Sequence, residues 1–129
     1  MSAEGYLAYI INSLSSRRSP DSMQILADGT EQVVYERNTD TYPFVFLGGS
    51  IDISNLAAGD TVIIRKYIRN TAGGTLRTSE RGMYTGVQEE TMLRIQDETS
   101  QYGVRVTLQQ TAGVNRAYIC EFYESTMVL

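Results

Sequence analysis

The stretch YGVRVTLQQTAGVNRAYICEFYE, residues 102–124, decides how the rest of the chain is read. Tyr102, Val104, Val106 and Leu108 alternate with Arg105, Thr107 and Gln109. That period of two belongs to a strand with one face in a core and the other in water. Ala112-Gly113 interrupts the pattern as a turn. It then resumes over Val114 to Glu124, with Tyr118, Cys120 and Phe122 inward against Ala117, Ile119 and Tyr123.

Working outward, the same grammar repeats. Met23 to Ala27 is a short apolar run closed by Asp28-Gly29, a hairpin-turn dipeptide. Glu31 to Arg37 follows, with Val33 and Tyr35 on one face and Gln32, Val34 and Glu36 on the other; Asn38 to Pro43 is a loop. Phe44 to Ile53 crosses the core with a bulge or bend at Gly48-Gly49. In Asp60 to Asn70, Val62, Ile64 and Ile68 point one way and Arg65, Tyr67 and Arg69 the other. Ala72-Gly73-Gly74 turns the chain into Thr75 to Arg81, and Thr91 to Gln96 is another short strand. Thr-Ala-Gly at 71–73 and at 111–113 marks two expected hairpin turns, not a repeat. Ahead of both, ISNLAAGD (53–60) resembles the corner by which immunoglobulin-like sandwiches pass between sheets, with Leu56 plugging the end and Gly59 at positive φ.

Seven or eight short strands, with turn signals every 8 to 14 residues, predict an all-β fold. The expected architecture is a two-sheet antiparallel β-sandwich, immunoglobulin-like or jelly-roll-like. Residues 23–129 form this domain and residues 1–22 an N-terminal arm and linker, helical or extended. Tyr6, Leu7, Ile10, Ile11 and Leu14 gather into one stripe on a helix, with Ser2 as a cap. A strand over Tyr6 to Ile11 is the other reading. SLSSRRSP (13–20) then ends the element.

At 129 residues the chain is one domain's worth, and 42% hydrophobic with 20% charged residues is ordinary globular composition. Zero histidines exclude a Ser-His-Asp triad, a Cys-His pair and His-ligated zinc; a single cysteine excludes an intramolecular disulfide. Eleven basic against fifteen acidic residues give a net charge of −4, which argues against a dedicated nucleic-acid partner. No secretion signal and no apolar run long enough to span a bilayer are apparent, so manufacture in a cytoplasm and no membrane partner are expected.

Catalytic readings fare poorly. Cys120 reads as a small buried hydrophobe. Lys66, the only lysine, sits mid-strand without Ser-x-x-Lys spacing. Glu89-Glu90 and Asp97-Glu98 are adjacent pairs, which a strand sends to opposite faces. Asp28, Asp40 and Asp97 lack calcium-loop spacing, and the glycine pairs at 48–49 and 73–74 lack the following Lys-Ser/Thr of a phosphate loop. No catalytic residue, metal ligand or cofactor site is therefore expected, and the protein reads as a non-enzyme.

Two surfaces remain as partner-binding candidates. The arm stripe Tyr6, Leu7, Ile10, Ile11 and Leu14 must bury its apolar face on its own domain, on a neighbouring copy or other protein, or on a membrane. Arg65, Tyr67 and Arg69, with Arg77 and Arg81 on the hairpin partner, form a possible interface face, better suited to protein than to nucleic acid. Met127-Val-Leu129 is a second apolar tail.

The runs SIDISNLAAGDTV (50–62), YTGVQ (84–88) and YGVRVTLQQTAG (102–113) resemble small β-rich virion proteins of tailed phages and archaeal viruses, over about residues 44–124. The resemblance implies a capsid decoration or minor virion protein: many copies contacting one another and the coat subunits, located in the virion. It carries no site residues over. The rivals are a carbohydrate- or other ligand-binding sandwich, disfavoured by the absence of tryptophan and the scattering of nine tyrosines, and a histidine-free glycosidase with two carboxylates facing one cleft. A tail or filament subunit is a variant of the structural reading.

Overall fold

The computed structural model describes residues 23–41, 43–100 and 102–126. Nine strands follow in order: β1 (Met23–Leu26), β2 (Gln32–Asn38), β3 (Phe44–Asp52), β4 (Thr61–Arg69), β5 (Arg77–Thr85), β6 (Met92–Ile95), β7 (Glu98–Ser100), β8 (Gly103–Ala112) and β9 (Ala117–Thr126). They form two antiparallel sheets. The first runs β1-β9-β3-β6, with β7 also on β3; the second runs β2-β8-β4-β5. Apart from the short β7, this is the double Greek-key order of a jelly roll, so the architecture is the expected β-sandwich in its jelly-roll form.

The core forms because the inward faces alternate as the sequence requires. Phe44, Phe46 and Ile51 of β3 meet Tyr118, Cys120 and Phe122 of β9. From the facing sheet come Val62 and Ile64 of β4 and Val104, Val106 and Leu108 of β8, all buried. Tyr35, Phe46 and Phe122 form an aromatic knot with ring centroids 4.7 to 6.0 Å apart. Burying each such side chain stabilises the fold by roughly 1.5–3 kcal/mol. The bulge expected at Gly48-Gly49 is present, as a register shift between Phe46 and Gly48 on β9. Leu56 is buried at the corner and Gly59 has φ +89°, where the chain crosses between sheets.

Several expectations change. Val33 does not share a face with Tyr35. A bulge in β2 opposite β8 makes Val34 the extra residue, so Val34 and Tyr35 are both buried and Val33 is exposed. Asp28-Gly29 and Ala112-Gly113 are not hairpin turns: β1 and β2 lie in different sheets, as do β8 and β9, so both turns carry the chain across the sandwich. Only the turn at 71–74 makes the expected hairpin, pairing β4 with β5. Tyr102 precedes β8 and lies outside the core cluster, with the Arg69 guanidinium 5.9 Å from its ring centroid. The segment expected to end at Arg81 continues to Thr85, and Glu98–Ser100 adds a ninth strand. The arm stripe and the tail at 127–129 lie outside the described residues.

Phe122→Ala should lower the unfolding free energy by about 3–5 kcal/mol, whereas Ile119→Ala, on the exposed face of the same strand, should cost less than about 0.5 kcal/mol. Urea unfolding of the two variants checks the assigned phase of β9.

Candidate functional site

The outer face of the second sheet carries the stripe singled out above. Arg65, Tyr67 and Arg69 do point away from the core on β4, and Arg81 of β5 lies opposite Arg65; Arg77 lies opposite Ile68, so the expected stripe does not extend to it. The polar atoms of Arg65, Tyr67 and Arg69 are engaged within the chain, whereas Arg77 and Arg81 are exposed. Arg65 Nη1 donates to Gln109 Oε1 at 3.0 Å and lies 3.4 Å from Glu31 Oε1. The Tyr67 hydroxyl donates to Glu31 Oε2, which also accepts from Thr107 Oγ1 at 2.7 Å. Arg105 stands over the Tyr67 ring and pairs with Glu36. Burial pushes the Glu31 carboxyl upward, but the bonds from Tyr67 and Thr107, with Arg65 and Arg105 nearby, outweigh it and hold the group below its ordinary range. Arg69 is buried, its Nη2 on Asp40 Oδ1 at 2.8 Å and on the carbonyls of Thr39 and Tyr102. The stripe is a self-paired ladder, and a phosphate backbone would have to displace carboxylates from three arginines to use it.

Lys66 lies on the inner face of β4. Its Nζ reaches across to the first sheet, 3.1 Å from Glu98 Oε2 on β7 and 3.4 Å from the Gln96 carbonyl, and sits 3.3 Å from Glu80 Oε1 on β5. The lysine is a cross-brace between the sheets. A cavity of about 150 Å³ beside it is walled mainly by Ile64, Tyr84, Leu93, Ile95 and Val106. Glu98, the first residue of β7, reaches Lys66, while Asp97, in the gap between β6 and β7, is exposed, so the adjacent pair does not converge. Glu89 and Glu90 are exposed in the β5–β6 loop. Asp28 bonds the backbone and hydroxyl of Thr30, which hold its pKa below the ordinary value; Asp40 serves Arg69 and the Gly73 amide. Among the described residues no three His, Cys, Asp or Glu groups converge as metal ligands, and no helix is long and apolar enough to cross a membrane.

The most constrained part of the molecule is one end of the sandwich, where the 27–31, 53–60, 86–91 and 113–116 loops meet. Asp60 is buried there. Its carboxylate accepts from Arg116 Nε at 2.7 Å, from the Ala57 amide at 2.9 Å and from the Val114 amide at 3.0 Å. Its carbonyl accepts from the Gly86 amide. Gln110 completes the lock: its amide donates to the carbonyls of Ala112 and Val114, and its oxygen accepts from the Arg116 amide and the Tyr118 hydroxyl. Gly113 has to be glycine, since its φ is +86° and a Cβ would sit 2.0 Å from Asp60 Oδ1. The sequence reading missed this lock, because Asp60 and Gln110 sit at strand ends where a polar residue looks solvated. The one available signal was an amide at the inward phase of β8.

Around that rigid end, large apolar side chains face solvent. Val87 and Val114 tip two of its loops at 76% and 64% exposure, and Leu26 and Met92 stand beside them at the ends of β1 and β6. Ile119 continues the apolar surface one residue pair further along the outer face of the first sheet. Cys120 lies on the opposite, inner face, where burial pushes its thiol up to about 12.

No family model and no curated protein matches the chain. Among solved structures, it is similar in fold to a subunit of the disulfide-linked pili that form Bacillus endospore appendages. The TM-score is 0.51 at 14% identity, over 87% of this chain and 88% of that one. Infectious bursal disease virus, Gt strain, gives a TM-score of 0.47 at 11% identity, covering 85% of this chain but 32% of the viral one. A T=1 particle derived from the same virus gives 0.45 at 14%, over 87% and 32%. The chain thus spans about a third of the viral chains. The likeness is one of fold, to proteins of a pilus and of virus particles, and the resemblance to tailed-phage and archaeal-virus proteins specifically is not what these structures bring.

Two outcomes follow from the lock and the thiol. The hydrogen bond from Arg116, followed by those from the backbone, holds the Asp60 carboxyl below 3.8, so the stability it contributes is fully present above that pH and is lost as pH falls through the lowered folded value. Urea midpoints should therefore fall as the pH is lowered from about 5 towards about 2, and Asp60→Asn should flatten that dependence while lowering stability at neutral pH. Cys120 should resist Ellman's reagent in the native protein near pH 8 and react stoichiometrically once unfolded.

Proposed function

We propose that the protein is a non-enzymatic structural subunit that acts by assembling in many copies, as a capsid decoration or minor virion protein contacting coat subunits. One observation carries the reading: apolar side chains are held out to solvent on a rigid end. Val87 and Val114 occupy loops fixed by the Asp60 carboxylate and carbonyl, and Leu26, Met92 and Ile119 border them. Exposed apolar surface on a fixed frame lowers the ordering cost of association, and repetition lets a modest contact hold through multivalency. The occupant of this surface is a second copy of the chain. Its arm, residues 1–22, carries the complementary stripe Tyr6, Leu7, Ile10, Ile11 and Leu14. Residues 23–129 are the folding unit and the arm is the assembly element. A tail or filament subunit is the same reading with contacts propagating in a line in place of closing on a shell.

Light scattering on a sizing column tests this. The full chain should give a discrete oligomer or polymer. The chain shortened to 23–129 should be a folded monomer, and Val87→Asp with Val114→Asp in the full chain should also reduce the mass to that of a monomer. A full-length monomer, or an oligomer unchanged by both alterations, overturns the proposal.

A further inference from the structure

On the outer face of the first sheet, away from the apolar end, the β3 bulge opens a notch of about 460 Å³ bordered by Leu47, Ser50, Arg94, Gln96, Asp97 and Tyr123. Its shape comes from two glycines. Gly49 forms part of the lining, and a Cβ there would fall 2.0 Å from the Glu121 carbonyl and 2.6 Å from the Phe122 ring. Gly48 lets the 95–97 backbone press close against β3, since a Cβ at that position would lie 2.4 Å from the Ile95 carbonyl. The gap between β6 and β7 falls at this wall, so Gln96 and Asp97 leave the ladder and their side chains stay at the rim.

The chemistry around the notch is mixed in a particular way. Arg94, Gln96 and Asp97 are exposed, and none of their side chains makes a hydrogen bond or ion pair with the described residues. A guanidinium, an amide and a carboxylate present planar donors and acceptors, the geometry that grips neighbouring hydroxyls two at a time. Arg94 and Asp97 cancel in charge, and the nearby Glu121 carboxylate is occupied by the Tyr123 hydroxyl, so the rim favours an uncharged ligand over an anion. Tyr123 supplies an aromatic wall, its hydroxyl held by Glu121, and Leu47 adds an apolar one. An amphipathic ligand with polar edges and C–H faces fits such walls.

We propose that this notch binds a neutral saccharide, with vicinal hydroxyls on Asp97 and Arg94 and a sugar face against Tyr123. The notch borders the apolar surface, since Met92 and Ile119 lie one outward pair from Arg94 and Ser50, but it shares no lining residue with that surface. A row of aromatic rings is unnecessary here: the depression does the work of shape, and one ring lines it.

An amide-resolved NMR titration of the full chain decides the matter, using glucose, galactose, N-acetylglucosamine and their β1,4-linked disaccharides as probes. The expected result is saturable shifts confined to residues 47–50, 94–97 and 123 with at least one sugar. Arg94→Ala and Asp97→Ala should each weaken that binding by about tenfold, the equivalent of one good hydrogen-bonding group, with the remainder of the spectrum unchanged. No localised shift with any of these sugars, or shifts that both variants retain, overturns the proposal. Weakening by Asp97→Ala with shifts scattered over the core would mark a folding defect, and for that case Asp97→Asn supplies the separate reading: it keeps the fold and should weaken binding alone. Retained binding in Asp97→Asn overturns the role of the carboxylate.

Discussion

The Asp60 carboxylate is the constraint on which the rest of the molecule depends. The chain crosses between sheets twice beside it, from β3 to β4 and from β8 to β9, and a crossing leaves backbone amides without a ladder partner. Asp60 accepts two of them, those of Ala57 and Val114, and binds the Arg116 side chain that follows the second crossing. A buried carboxylate with one partner would be a liability; with three donors it is satisfied and directional. The Gly113 φ and the close approach of that glycine to Asp60 follow from the same demand.

The two ends and two faces of the sandwich then divide their roles. Lys66 braces the flank by reaching Glu98 across the core, and the charged ladder around Glu31 closes the outer face of the second sheet. Both outer faces carry exposed apolar side chains, Val33 and Met83 on the second sheet among them, and the first sheet differs in its relief. Its outer face leaves Ile119 uncovered and carries the glycine-lined notch. Arg65, Arg69 and Arg105 are paired within the chain on one face, while apolar side chains are exposed at one end of the other.

The strands were legible because alternation is local. Val104, Val106 and Leu108, and likewise Tyr118, Cys120 and Phe122, are buried as their spacing required. Bulges defeated the same rule. At Val33–Tyr35 one extra residue inverted the phase, and nothing in a run of Val-Val-Tyr announces which residue will be extra. The candidate face was legible in direction but not in state: Arg65, Tyr67 and Arg69 point outward as read, yet Glu31 and Asp40, on either side of β2 and far away in sequence, pair with Arg65 and Arg69. The notch was illegible, since its rim comes from β3, β6, β9 and the 96–97 break.

By itself the sequence determined that the sandwich domain is all-β, where most strands lie, which residues form most of its core, and that histidine-based chemistry is absent. Tertiary structure alone decided which strand pairs with which. Asp28-Gly29 and Ala112-Gly113 have the local chemistry of hairpin turns, but a turn dipeptide fixes only its own φ and ψ. Whether the next strand folds back beside its neighbour or crosses to the other sheet depends on burying both apolar faces at once, and that is a property of all nine strands together.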